Sequence, residues 1–170
     1  VVDADDIARQ CTLPGGAAIP AIARTFGHVY IAPDGAMDRA RMRAHVFSHP
    51  EAKRQLESIV HPLVQQEMQR QAALVTSACV VFDIPLLVEV HHWRLRLDRI
   101  LVVDCLPETQ VQRVMARNEW TREQVLSVIE QQSLRSARIA AADWVVHNDR
   151  IDLDTLQVLL RRLTPWLGLC

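Results

Sequence analysis

Residues 100–117 read ILVVDCLPETQVQRVMAR. The first four, Ile100-Leu101-Val102-Val103, form a brief apolar run without polar alternation. That is the pattern of a short strand covered on both faces, as in a parallel sheet. From Pro107 to Arg117 the pattern turns helical, with proline near the first turn, where it is favoured. Runs of the same strand type lie on either side: Cys79-Val80-Val81-Phe82 upstream and Trp144-Val145-Val146 downstream. Val1-Val2 reads as the last piece of a fourth strand. Thr121 and Gln124 have capping-box spacing and open a helix to about Leu134. Ile151 to Leu163 places Leu153, Leu156, Leu159, Leu160 and Leu163 on a helical stripe. Strands alternating with helices predict an α/β fold with a doubly wound parallel sheet.

Residues 14–78 break this rhythm. They contain helical segments punctuated by Pro20, Gly27, Pro33-Asp34-Gly35 and Pro50, and no convincing strand. They read as a helical insertion packed beside the sheet.

Composition sets the outer limits. A chain of 170 residues, 49% apolar and 23% charged, suits one domain, or one domain with a sizeable insertion, and excludes disorder. The net charge of −1 excludes a general nucleic-acid binder, which needs a basic surplus. No apolar run reaches about 18 residues, so no membrane span is expected. All of the 19 basic residues except Lys53 are arginine, which is mostly a compositional habit. Cys11, Cys79, Cys105 and Cys170 lie far apart with no CxxC, so a zinc site lacks its minimal signal. Cys79 and Cys105 read as small buried hydrophobes. Reduced thiols and no export signal point to the cytoplasm. The seven histidines, His91 and His92 among them, form no HExxH, and none is assigned to a metal. A GxSxG elbow is also absent.

Four segments carry candidate chemistry. Asp3-Ala4-Asp5-Asp6 leaves the Val1-Val2 strand, and in open α/β sheets ligands bind beyond the carboxyl ends of strands. One of these carboxylates could help hold hydrated magnesium and another could accept a proton from a hydroxyl. The same residues also suit a plain helix N-terminus. Asp83, ahead of Ile84-Pro85-Leu86-Leu87-Val88-Glu89, is again a strand-end acid, suited to a magnesium site or to a simple turn. Arg113 and Arg117 are four apart and share a helix face. They form either a phosphate clamp on a helix–loop–helix or a solvated face. Gln132, Arg135, Arg138 and Asp143 lead into Trp144–Asn148, where Asn148 could read an adenine edge or serve as a turn residue.

In order along nearly the whole chain, these segments resemble the dephospho-coenzyme A kinase family. Val2-Asp3-Ala4-Asp5 with Ile7-Ala8-Arg9 resembles its strand-end DAD segment. Phe26-Gly27, Asp34-Gly35 and Arg39 through Val46-Phe47 resemble its helical region, and His61-Pro62-Leu63 its HP motif. Asp83 to Glu89 resembles its PLLxE stretch, Gln112-Arg113 with Arg117 its lid, and Gln132 to Asn148 the segment entering the adenine site.

The resemblance implies a P-loop kinase-like fold. The nucleotide-binding α/β core is then residues 1–13 and 79–170, with a lid at about 113–138, and the helical substrate (CoA) region is 14–78. The implied reaction transfers the γ-phosphoryl of ATP to the ribose 3′-hydroxyl of dephospho-CoA, with ATP and magnesium as cofactors and no nucleic-acid or membrane partner. Asp5 is then the group that orients or deprotonates the hydroxyl. Asp3 and Asp83 are magnesium-side acids. Arg113 and Arg117 clamp phosphate, and Asn148 lies near adenine. Arg9, His61, Pro85, Leu86, Leu87 and Glu89 lie by the dephospho-CoA pocket.

Two features depart from the family pattern. No GxxxxGK[ST] cradle occurs: the glycines are Gly15, Gly16, Gly27, Gly35 and Gly168. The resemblance places a strand, loop and first helix of roughly 28 residues ahead of Val1, so these 170 residues by themselves are expected to be inactive. Asn118 stands where the lid often has Asp, and Arg150 where the adenine loop often has Gly, a residue tolerant of positive φ. The alternatives are another P-loop small-molecule kinase, of shikimate or gluconate type, and a non-catalytic CoA- or nucleotide-binding module.

Overall fold

A computed structural model describes residues 1–89 and 96–167. His91, His92, Gly168 and Cys170 lie outside the described residues. The chain divides into two compact units, Val1–Pro85 and Leu86–Cys170.

The first unit opens with β1 (Val2–Asp3), which runs directly into α1 (Ala4–Cys11). Asp3 ends the strand in an extended conformation and caps the helix, accepting the Asp6 N–H at 2.9 Å. Ile7 and Cys11, four apart, form the buried stripe of α1, which packs on α4 (Pro50–Ala73). Between them lie α2 (Ile19–Phe26) and α3 (Arg39–Ser48). Ile22, Met42, Ala52 and Met68 complete this core. The close approach of the 12–18 turn to α1 requires Gly16: a Cβ there would sit 2.3 Å from the Cys11 carbonyl oxygen. Pro62 lies inside α4 and removes the rung to the Ser58 carbonyl.

The last element of this unit is β2 (Phe82–Asp83), parallel to β1, with Val2 opposite Phe82 and Asp3 opposite Asp83. The expected Cys79–Phe82 strand is thus shorter and displaced toward its end. Val81 contributes a carbonyl, which accepts the Val2 N–H at 2.8 Å.

In the second unit β3 (Leu101–Asp104) pairs in parallel with β4 (Trp144–His147). The connection carries α5 (Pro107–Arg117), α6 (Arg122–Glu130) and α7 (Arg135–Ala141), and α8 (Leu153–Leu163) follows β4. Asp143 sets the register: its Oδ2 accepts the Ile100 N–H at 2.7 Å and its own N–H donates to the Ile100 carbonyl. The capping box of Thr121 and Gln124 is present with both of its bonds. The helix it opens ends at Glu130, short of the expected Leu134, where Gln131 turns the chain.

Three other expectations change. Coverage on both faces does not hold for β3, where Leu101 and Val103 are exposed and Asp104, on the other face, is buried. On α8 Leu156, Leu159 and Leu163 of the expected stripe are half-buried, while Leu153 and Leu160 are exposed. Cys79 and Cys105 are half-buried, and it is Cys11 that lies in the core. The parallel pairs joined by helices are those of an α/β fold.

Candidate active site

In the first unit the carboxylates gather at strand ends. Asp3 and Asp83 are lateral neighbours in the β1–β2 ladder, so their backbones stand about 4.8 Å apart. Both are exposed. One oxygen of Asp3 is engaged by the Asp6 N–H, so this residue is a helix cap and a strand-end acid at once. Asp5 occupies the first turn of α1, is exposed, and has no side-chain partner among the described residues. Asp6 is engaged, accepting from Gln10 Nε2 at 2.7 Å.

Two carboxylates side by side suit a hard divalent cation that keeps several waters. They do not suit a cation that needs an all-protein cage, and no group of three or more ligating side chains occurs among the described residues. Asp3 and Asp83 therefore fit a hydrated magnesium ion.

Arg9 and His61, the expected substrate-side residues, are exposed on α1 and α4. Neither lines the open cleft of about 290 Å³ between these helices, which is bounded by Ile7, Gln10, Cys11, Leu63, Glu67 and Arg70. In that cleft Arg70 grips Glu67 through Nε and Nη2, both at 2.7 Å, and Gln71 adds a bond at 3.0 Å. These donors hold the Glu67 carboxyl down at about 2. Burial, with the Glu67 charge, pushes the Cys11 thiol up, so it stays protonated and is no nucleophile. Arg39 is a structural clip: its Nη2 donates to Thr12 Oγ1 at 3.0 Å and to the Arg9 carbonyl at 3.3 Å, at the end of α1.

The boundary between the units falls inside the PLLxE stretch, after Pro85. Leu86 is exposed and Leu87 half-buried. Glu89 Oε1 accepts the Ser133 N–H at 2.8 Å, and Arg138 Nη1 donates to the Ser133 carbonyl at 2.6 Å. Burial raises the Glu89 pKa, but the backbone N–H donors and the Arg138 charge outweigh it and leave the carboxyl below its ordinary value.

In the second unit α5 carries Arg113 and Arg117, the two arginines expected in a lid. Arg113 Nη2 reaches Asn148 Oδ1 at 3.4 Å, and Arg117 Nε donates to Asn118 Oδ1 at 3.1 Å. Both arginines are exposed. Arg122 grips Glu108 through both of its Nη atoms and ties α6 to α5. Asn148 follows β4, with its N–H on the Asp104 carbonyl at 2.8 Å. Arg150, two residues on, has φ +53°, the one non-glycine in the left-handed region among the described residues.

Asp104 was not legible as a site residue. It is 4% exposed, yet it is a carboxylate. Arg135 grips it through Nε at 2.8 Å and Nη2 at 2.6 Å, and His147 Nδ1 lies 3.1 Å away. Hydrogen bonds from Arg135 hold its carboxyl below the usual range, against the upward push of burial, and His147 adds to the lowering. The signal was available: Asp104 ends an apolar run just as Asp83 does.

A family model described as dephospho-CoA kinase matches residues 1–153. The chain is 51% identical over 156 residues to the dephospho-CoA kinase of Burkholderia thailandensis, covering 92% of this chain and 77% of that protein. It is 49% identical to that of Albidiferax ferrireducens, covering 99% and 81% respectively. A crystal structure from Thermus thermophilus superposes with a TM-score of 0.83 at 30% identity, covering 98% of this chain and 83% of the other. The dephospho-CoA kinase of Campylobacter jejuni, at 20% identity and a TM-score of 0.69, over 98% of this chain and 84% of that one, shares the fold.

Proposed function

The chain belongs to the dephospho-CoA kinase family of ATP-dependent phosphotransferases, and from that premise we propose how its residues divide the reaction. The function is transfer of the γ-phosphoryl of ATP to the ribose 3′-hydroxyl of dephospho-CoA, giving coenzyme A and ADP. The observation that carries it is the family match across residues 1–153. It favours dephospho-CoA over the shikimate- and gluconate-type alternatives.

Asp5 orients the 3′-hydroxyl and accepts its proton as the oxygen attacks phosphorus. Its exposure and its lack of a side-chain partner leave it available for that contact. Asp3 and Asp83 would hold the magnesium ion. When bound, that ion neutralises charge on the phosphates. Arg113 and Arg117 bind phosphate oxygens: their planar guanidiniums complement charge spread over the transferred group. Asn148 contacts the adenine edge. Arg9, His61, Pro85, Leu86, Leu87 and Glu89 belong to the dephospho-CoA side, with Glu89 acting through the Ser133 backbone it holds. In this division residues 14–78 form the substrate region, and residues 1–13 and 79–170 the nucleotide core with its lid at about 113–138. Free thiols at Cys11, Cys79 and Cys105 fit a cytoplasmic setting. No helix among the described residues is long and apolar enough to cross a membrane.

Asp5→Asn in the full-length protein tests the central role, because it keeps size and removes charge. The expected result is a fall in kcat of at least about a hundredfold with ATP affinity unchanged. Unaltered turnover removes Asp5 from the reaction.

A further inference from the structure

We propose that Asp104 is a positioning residue for the nucleotide side of the site, its buried carboxylate holding the Arg135 guanidinium in one orientation while its backbone carbonyl holds the Asn148 N–H. The inference rests on the reading of the Gln132–Asn148 segment as nucleotide-facing, and adds a residue that this reading did not contain.

The geometry is specific. Asp104 closes β3, Arg135 opens α7, and His147 closes β4 directly opposite Asp104 in the ladder. The two bonds from Arg135 at 2.8 and 2.6 Å are a fork on a carboxylate, which fixes the guanidinium plane as well as its distance. They occupy Nε and one Nη, and the side chain of Arg135 remains 39% exposed. Nη1 is therefore left to a ligand. The Asp104 carbonyl takes the Asn148 N–H, so one residue braces both the arginine and the first residue after β4.

Packing alone does not account for an acid here. A buried carboxylate carries a desolvation cost, and well-packed apolar replacements of buried ion pairs are often neutral or stabilising. An acid at this position has a use when the arginine it holds must present its other edge in a fixed direction.

The test is calorimetric ATP binding to the full-length protein, which does not depend on the identity of the phosphoryl acceptor. Asp104→Asn and Arg135→Ala are each expected to weaken ATP about tenfold. Millimolar guanidinium ion should restore part of the affinity of Arg135→Ala, because the Asp104 carboxylate can dock it. It should restore none in the Asp104→Asn/Arg135→Ala double variant. Rescue of both alike, or unchanged affinity in either single variant, overturns the proposal. If Asp104→Asn does not fold, Arg135→Lys takes its place: it keeps the charge, loses the fork, and must weaken ATP while leaving the KM for dephospho-CoA within about twofold. Equal loss for both substrates also overturns it. A protein that binds ATP with these losses but never phosphorylates dephospho-CoA contradicts the functional reading and leaves the role of Asp104 intact.

Discussion

Arg113 and Asn148, 35 residues apart in sequence, meet at 3.4 Å through Nη2 and Oδ1. The bond is long, and it joins an exposed arginine on α5 to the residue after β4. The amide thus holds the guanidinium only loosely.

Arg113→Lys follows from this pairing. Lysine keeps the charge but cannot present a planar fork. Turnover with saturating ATP should fall by about tenfold or more, while the thermal midpoint stays put because Arg113 is exposed. Steady-state kinetics and a melting curve on the same preparation check both halves. Full activity would make Arg113 an ordinary surface residue.

Arg150 stores backbone strain at φ +53°. A side chain in the left-handed region costs roughly 1–2 kcal/mol, and glycine gives back about 0.4–1 kcal/mol through a freer unfolded chain. Arg150→Gly should therefore stabilise by about 0.5–1 kcal/mol, seen as a rise of about 2 °C in Tm. Arg150→Ala should give no rise, since alanine keeps the Cβ. A gain for alanine equal to that for glycine assigns the effect to lost charge rather than to backbone strain.

Asp104 makes acid stability part of the account. Its carboxyl pKa is lowered in the folded state, chiefly by Arg135. The bonus is therefore complete above the unfolded value of about 3.9 and is lost as pH falls through the folded value. Asp104→Asn should cost about 2–3 kcal/mol at neutral pH, less than a fully buried pair because Arg135 is partly exposed. Wild-type and variant urea midpoints should differ by a constant amount above about pH 4 and converge as pH falls below it. Parallel curves across that range would mean that the Asp104 charge contributes no pH-dependent stability.

Local chemistry was legible in the chain, and distant pairing was not. Pro107 and the Thr121–Gln124 box announce their helices because each signal lies within one turn of the backbone it controls. Asp3-Ala4-Asp5 marks a strand end running into a helix for the same reason. Asp104 was passed over because its partners lie 31 and 43 residues away. Glu89 reads as a substrate residue in its own heptapeptide, yet its carboxylate takes the Ser133 N–H 44 residues on. Arg39 sits within a motif read as substrate-side, and its guanidinium closes the end of α1.

The most direct measurement supplies the full-length protein with magnesium, ATP radiolabelled in the γ-phosphoryl, and an equimolar mixture of dephospho-CoA, shikimate and gluconate. Label is expected in coenzyme A, on the ribose 3′-oxygen, with neither shikimate nor gluconate labelled and with the signal abolished by Asp5→Asn. Label on shikimate or gluconate, or ATP binding with no transfer to dephospho-CoA, would contradict it.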